Sequence, residues 1–381
     1  MQGLVSGAER KNGWQMAEEV GDAAPDKTQR LLYQAKWEAD EARDELQAYV
    51  KEELGEEDGI GIVDETGFIK KGDKSAGVER QYTGTAGKIE NSQVGTFLGY
   101  ASGRGHTLID RRLFVPEKWI EDEQRRAQAK IPTEIKQQTK PEQAREMLEQ
   151  AWARGVPMKW VTGDEIYGNA PRLRDAVANS GRLYVFAVSS NTPMWTRRPK
   201  TRQPRAKTGG RPQKHVQLAV GAPTHCTVAE AVATWPSTHW HRIAISAGEK
   251  GPIAYDWAAV RMVERVDTLP GRDSWLLVRR SISDPQELAF YLSNANADTS
   301  LETLARIASQ RYKIEQCFEE AKGETGLDHY EVRYFHSWYR HITLSMMAHA
   351  WLTVTRAQAH ERELALAHKH KKTMPTTTLH P

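Results

Sequence analysis

Two short apolar runs, each leading into an acidic pair and a glycine, constrain this chain more than any other feature. They are I-V-D-E-T-G-F at residues 62–68 and T-G-D-E-I-Y-G at 162–168. A brief apolar run closed by a turn signal has the pattern of a buried strand. Strand ends in α/β sheets are also where ligands bind. Read alone, each aspartate is better explained by ordinary turn chemistry. The segments between the two runs alternate in type. NSQVGTFLGYAS and HTLIDRRLFVP predict a hairpin turning at Gly103–Gly105, with Thr96, Leu98 and Tyr100 alternating against Phe97 and Gly99. Thr139 and Glu142 fit a capping box with Pro141 in the first turn. Ala144, Met147, Leu148 and Ala151 then give a helical stripe that Gly155 ends. PRLRDAVANSG predicts a helix and RLYVFAVSS another buried strand. Strand, hairpin, helix, strand, helix, strand is a mixed α/β order.

The flanking regions differ in character. Residues 14–54 predict mostly helix, with Leu31, Leu32, Ala35, Ala39, Ala42, Leu46 and Val50 spaced by threes and fours. Residues 191–300 carry β-like pieces such as HWHRIAISAG and DSWLLVRRSI and predict a β-rich insertion. A long helix is expected from about Leu301 through QRYKIEQCFEEAKGE, followed by further helices. The expected division is a helical N-terminal domain at 1–57, a core at 58–190, the insertion at 191–300, core completion at 301–360 and a disordered tail at 361–381.

Composition excludes several classes. No window holds the roughly 18 unbroken apolar residues of a membrane span; the longest strong run is near Leu183–Val188. Cys226 and Cys317 form no C-x-x-C pair, so a disulfide framework and a zinc ribbon are not expected, and a reducing cytoplasm fits. Charge is unevenly spread. Residues 1–58 hold fifteen Asp/Glu against seven Lys/Arg, a charge of −8, which leaves +11 on the rest of a chain whose total is +3. No acidic residue lies between Asp175 and Glu230, and eight cations fall between Arg197 and Lys214. Most charge runs are solvated loops. A run lacking every acid, with Pro and Gly interleaved, points to a polyanion, and Arg202, Arg205 and Lys207 are its candidate phosphate contacts.

A third carboxylate belongs with the two aspartates. Arg311, Glu315 and Lys322 are separated by four and seven, so at about 100° per residue they share one narrow polar stripe beside Ile307, Ile314 and Phe318. An i,i+4 surface ion pair would explain Arg311 and Glu315 but not a stripe beside the apolar seam. Carboxylate oxygens suit hard divalent cations. Two such ions about 4 Å apart are the device of phosphodiester cleavage. His225, His239 and His241 lack ligand spacing and read as structural or surface residues.

With these residues in place the chain resembles the DDE transposases of bacterial insertion sequences. One large group carries Y-x2-R-x3-E-x6-K, matched here by Arg311, Glu315 and Lys322, with Ala308 at the tyrosine position. GVERQYTGTAGKIENSQVGTFLGYAS, WVTGDEIYGNAPRLR and EQCFEEAKGETGLDHYEVR carry the same likeness, which runs from about Arg10 to Ala359. The resemblance implies an RNase H-like core with Asp64, Asp164 and Glu315 as catalytic and metal-binding residues and two Mg²⁺ as cofactors, with Mn²⁺ as a substitute. It implies double-stranded DNA as partner, both the terminal inverted repeats and the target, with Arg311 and Lys322 on the phosphates. It further implies a homodimer on DNA, no membrane, and work at the bacterial nucleoid. Relatives stack an extruded base on an aromatic of the insertion, which makes Trp257 and Trp275 candidates. The family's N-terminal domain usually begins with more helix, so the resemblance also implies an N-terminally shortened copy. A nuclease on the same core, or an inactive DNA-binding derivative, is the competing reading.

Overall fold

The computed structural model describes residues 1–203, 215–248 and 251–373. Four helices come first: α1 Gln2–Val5, α2 Gly13–Glu19, α3 Asp26–Tyr33 and α4 Ala39–Leu54. The single helical stretch expected over 14–54 is thus divided, and Leu31 is exposed. The break after α3 has a local cause. The Arg30 carbonyl accepts from both Gln34 N and Ala35 N, and the Trp37 indole donates to the Leu31 carbonyl, so the last carbonyls are satisfied without another turn of helix.

Strands β1 Ile60–Ile69, β2 Glu79–Thr83, β3 Lys88–Ala101 and β4 His106–Leu113 follow, then helices α5 Glu117–Glu121, α6 Glu123–Gln128 and α7 Lys140–Ala153. Helix α7 starts with the expected capping box: Glu142 Oε2 accepts from Thr139 N at 2.8 Å, and Thr139 Oγ1 accepts from Glu142 N. After it come β5 Trp160–Gly163, α8 Glu165–Gly168, α9 Pro171–Asn179 and β6 Leu183–Val188. Strand β1 lies between β3, antiparallel, and β5, parallel; β4 extends the sheet beyond β3, and β6 extends it beyond β5 in parallel. The expected hairpin is β3–β4. Every residue of β3 from Ser92 to Ala101 is buried, on both faces of the strand, so polar and apolar positions do not separate there.

The β-rich stretch continues this sheet. It comprises β7 Pro193–Trp195, β8 Thr201–Arg202, β9 Gln217–Leu218, β10 Cys226–Thr227, α10 Val228–Val232, β11 His241–Gly248, β12 Gly251–Val266, β13 Leu269–Arg280 and β14 Leu288–Ser293. Strand β14 pairs with β6, then β13 and β12 follow, so among the described residues twelve strands form one mixed sheet. Trp257 is buried in this extension against Tyr255 and Tyr291, so its ring is not presented to a base. Trp275 is half-buried, its indole donating to the Asn296 carbonyl.

Three helices close the chain: α11 Leu301–Ser309, α12 Tyr312–Thr325 and α13 Phe335–Thr373. The expected long helix from Leu301 is broken at Gln310–Arg311. Ser309 Oγ takes the Ala305 carbonyl, and Gln310 N, Lys313 N and Ile314 N each bond three residues back, which tightens and bends the turn. Helix α13 runs to Thr373, past the point where a tail was expected to begin; residues 374–381 lie outside the described ones.

The sheet is covered on both faces, and β1 distributes its side chains accordingly. Ile62, Asp64, Thr66 and Phe68 face α12, where Ile314 and Phe318 join Phe97 in one core. Glu65 faces α7. Helix α4 packs into the same core through Leu46, Val50 and Leu54. Its Arg43 is buried, both oxygens of Asp110 accepting from Nη1 at 2.8 and 2.9 Å. One of the seven cations of residues 1–58 is therefore committed to an internal ion pair.

Candidate active site

Val63 stands opposite Gly163 in the parallel β1–β5 pair, and the next residue in each chain is an aspartate. The sheet therefore delivers Asp64 and Asp164 side by side. Asp164 is also the N-cap of α8, its Oδ1 accepting from Ile166 N at 2.9 Å. Asp64 Oδ1 accepts from Glu65 N at 2.8 Å, and its side chain is 13% exposed. Burial first, then Asp164 and Glu65, push the Asp64 carboxyl up to about 8. Burial and Glu65 also raise Asp164. Positive charge beside the two carboxyls offsets both shifts.

Arg311 supplies part of that charge. It sits at the N-terminus of α12, where the bend after α11 aims it at β1. Its Nη1 lies 3.5 Å from Asp64 Oδ2 and its Nη2 lies 2.5 Å from Glu315 Oε1. Asp64 and Glu315 thus fall within the reach of one guanidinium, at most about 8 Å apart. Glu315 is 45% exposed and lies at the rim. Lys322, two turns further along α12, donates from Nζ to Thr66 Oγ1 at 2.8 Å, and burial lowers its pKa. The structure thus gathers Asp64, Asp164, Glu315, Arg311 and Lys322 around one edge of β1.

Arg202 is elsewhere, exposed on β8 with Nη2 donating to Gln217 Oε1 at 2.7 Å. Arg205 and Lys207 lie outside the described residues. His225 meets Arg265 and the Trp195 ring, and His239 meets the Trp235 ring, as contacts of the β-rich region.

The motifs did not single out Lys140 and Tyr167. Glu65 Oε1 accepts from Lys140 Nζ at 2.7 Å, and Glu65 Oε2 accepts from the Tyr167 hydroxyl at 2.7 Å. The signal was the tyrosine three residues after Asp164 and the lysine at the first position of the capped helix.

The donors here are all carboxylate oxygen, which fits Mg²⁺ or Mn²⁺ and excludes the softer thiolate and imidazole sites. Among the described residues no three of His, Cys, Asp or Glu stand together closely enough to hold a metal, and Glu315 is paired with Arg311.

A mixed sheet that sets Asp64, within β1, beside Asp164, just past β5, points to a class of enzymes that act through paired carboxylates, and a family model covers that part of the chain. The model for the DDE superfamily endonucleases matches residues 1–252, and the chain belongs to that family. Among curated proteins it is 28% identical over 191 residues to the probable transposase for insertion sequence element IS701 of Microchaete diplosiphon. That match takes in 50% of this chain and 47% of the relative, so it spans about half of the relative's length. Among solved structures, the chain aligns with piggyBac transposase in a synaptic complex with hairpin DNA at a TM-score of 0.37 and 10% identity, covering 84% of this chain and 55% of the other. It aligns with the NurA nuclease of Sulfolobus solfataricus at 0.26 and 8% identity, covering 88% and 94%.

Proposed function

We propose that this protein is the DNA transposase of an insertion sequence, cutting phosphodiesters at the element's ends and joining the freed ends to target DNA. The observation that carries the reading is the placement of Asp64, midway along β1, beside Asp164, just past the end of β5, with Glu315 drawn to Asp64 through Arg311. The strand order β4-β3-β1-β5-β6, antiparallel up to β1 and parallel after it, supports an RNase H-like core. The IS701 relative supports an insertion sequence as the source.

Asp64, Asp164 and Glu315 would hold two Mg²⁺, with Mn²⁺ as a substitute. When bound, such ions supply charge neutralisation and an activated water. The chain's own residues do the rest. Arg311 and Lys322 hold the phosphates on either side of the scissile bond, since both cations face the acidic edge from α12. In the first step water attacks a phosphodiester at the element's end, the P–O3′ bond breaks, and a 3′-OH and a 5′-phosphate remain. In the second, that 3′-OH attacks a target phosphodiester, forming a new P–O bond as the target's own P–O3′ bond breaks and leaves a target 3′-OH. Arg202, Arg205 and Lys207 add affinity for double-stranded DNA without reading sequence. Assembly as a homodimer would place one such site on each end of the element, in the bacterial nucleoid.

A joining assay tests this. Labelled DNA ending in the element's terminal repeat, with a free 3′-OH, is mixed with supercoiled target and Mg²⁺. The reading expects target-joined product that disappears in Asp64→Asn, Asp164→Asn and Glu315→Gln. Cleavage without joining would make the protein a nuclease on the same core. Binding without either reaction would make it a DNA-binding derivative.

A further inference from the structure

The acidic edge of β1 carries a fourth carboxylate, and both of its oxygens are already in use. Glu65 follows Asp64 but points to the opposite face of the strand, toward α7. There Lys140, at the first position of α7, reaches Oε1, and Tyr167, in the helix that Asp164 caps, reaches Oε2, each at 2.7 Å. The three groups come from three separate elements. The Tyr167 ring is fully buried, and Glu65 is 17% exposed against 21% for Lys140. Their hydrogen bonds therefore form largely out of water, where each costs most to lose.

The connectivity gives the arrangement a consequence. Tyr167 lies one helical turn after Asp164, and the Tyr167 O–H to Glu65 bond closes a ring: Asp64 to Glu65 along β1, Glu65 to Tyr167 by hydrogen bond, Tyr167 to Asp164 along α8, and Asp164 back to Asp64 across the β5–β1 pair. The backbone pairing of β1 with β5 ends at Val63 and Gly163. Beyond that point the β1–β5 ladder no longer sets the distance between the aspartates, and the Glu65–Tyr167 bond ties the two elements directly to each other. Lys140 stands at the other oxygen and holds the Glu65 side chain toward α7.

We propose that Glu65 is a positioning residue, gripped by Tyr167 and Lys140 so that the strand bearing Asp64 and the turn bearing Asp164 keep a fixed separation. The inference rests on the reading that the two aspartates hold a divalent cation. It assigns Glu65 no ligand role, since both oxygens are spoken for. Groups that hold ligand carboxylates in place typically change metal affinity 10–100-fold when removed.

The test is Mn²⁺ binding to the full chain, read by electron paramagnetic resonance of the free ion, alongside thermal unfolding of the same samples without metal. Asp64→Asn and Asp164→Asn come first: if either leaves Mn²⁺ binding at the wild-type level, the metal reading itself fails. With that control passed, Tyr167→Phe, which removes one oxygen and keeps the ring, is expected to weaken Mn²⁺ binding about tenfold with little change in the unfolding temperature. Glu65→Gln, which can still accept from Tyr167, should lose less affinity than Glu65→Ala. Unchanged Mn²⁺ affinity in Tyr167→Phe would overturn the proposal. So would equal losses in Glu65→Gln and Glu65→Ala, or losses that merely follow falling unfolding temperatures.

Discussion

Arg311 reaches Asp64 across the space between α12 and β1, 3.5 Å from Nη1 to Oδ2, and with its other nitrogen it holds Glu315. One side chain thus connects the carboxylate of the first strand with that of a helix 251 positions later in the chain. If the three carboxylates act as one site, their losses are not additive. Asp64→Asn and Asp164→Asn should each lower cleavage by about 10³-fold or more, and the double variant should be little worse than either. Single-turnover cleavage rates check this. Additive losses would mean that the residues act separately.

Gly168 closes α8 against β6, and a Cβ there would lie 1.7 Å from the Ala187 carbonyl oxygen. Gly168→Ala must push α8 away from the sheet, carrying Asp164 with it. A cost of about 1–3 kcal/mol in urea unfolding, together with a fall in cleavage, is expected. Gly84, which has nothing within 4 Å of its would-be Cβ, serves as the control, and Gly84→Ala should change stability by less than about 0.5 kcal/mol.

Helices α12 and α13 are joined by Glu320 and His349, whose Nε2 lies 3.1 Å from Glu320 Oε2 while its Nδ1 meets Thr107 Oγ1 at 3.0 Å. The His349 hydrogen bond first, and Arg356 after it, hold the Glu320 carboxyl down at about 2, against an ordinary 4.5. A folded-state value below the unfolded one contributes stability that is fully present above about pH 4.5 and is lost as pH falls toward 2. Glu320→Gln should therefore cost about 1 kcal/mol at pH 7. The gap between variant and wild type should close as pH drops from about 4.5 toward 2. A gap independent of pH would assign the interaction to packing.

The segment around Arg202, Arg205 and Lys207 is tested by salt. Replacing all three with Gln should flatten the plot of log affinity for DNA against log salt by about one unit per lost phosphate contact. Sequence preference should be unchanged. An unaltered slope would make the segment a solvated loop.

What could be read from the sequence was what is local. The capping box at Thr139 and Glu142 needs residues three apart, and it forms as expected. The buried strands around Asp64 and Asp164 declared themselves by their apolar runs, but β1 does not turn after Asp64: its pairing with β3 carries it through Gly67 to Ile69. The break at Gln310 was hidden, because every residue there tolerates helix and the bend depends on where one hydroxyl, Ser309, bonds. The partners of Glu65 were hidden by distance, 75 and 102 positions along the chain. The partner of Arg43 was hidden in the same way, since Asp110 lies 67 positions along the chain.

The central claim, that Asp64, Asp164 and Glu315 serve one divalent-metal site, is tested most directly by replacing Mg²⁺ with Fe²⁺ and generating hydroxyl radicals at the bound ion. Backbone cleavage is local to the ligands, so the fragments map them. The account predicts cuts clustered at three places, around residues 64, 164 and 315, all suppressed by excess Mg²⁺. Cuts confined to one or two of these places, or falling elsewhere in the chain, would contradict it.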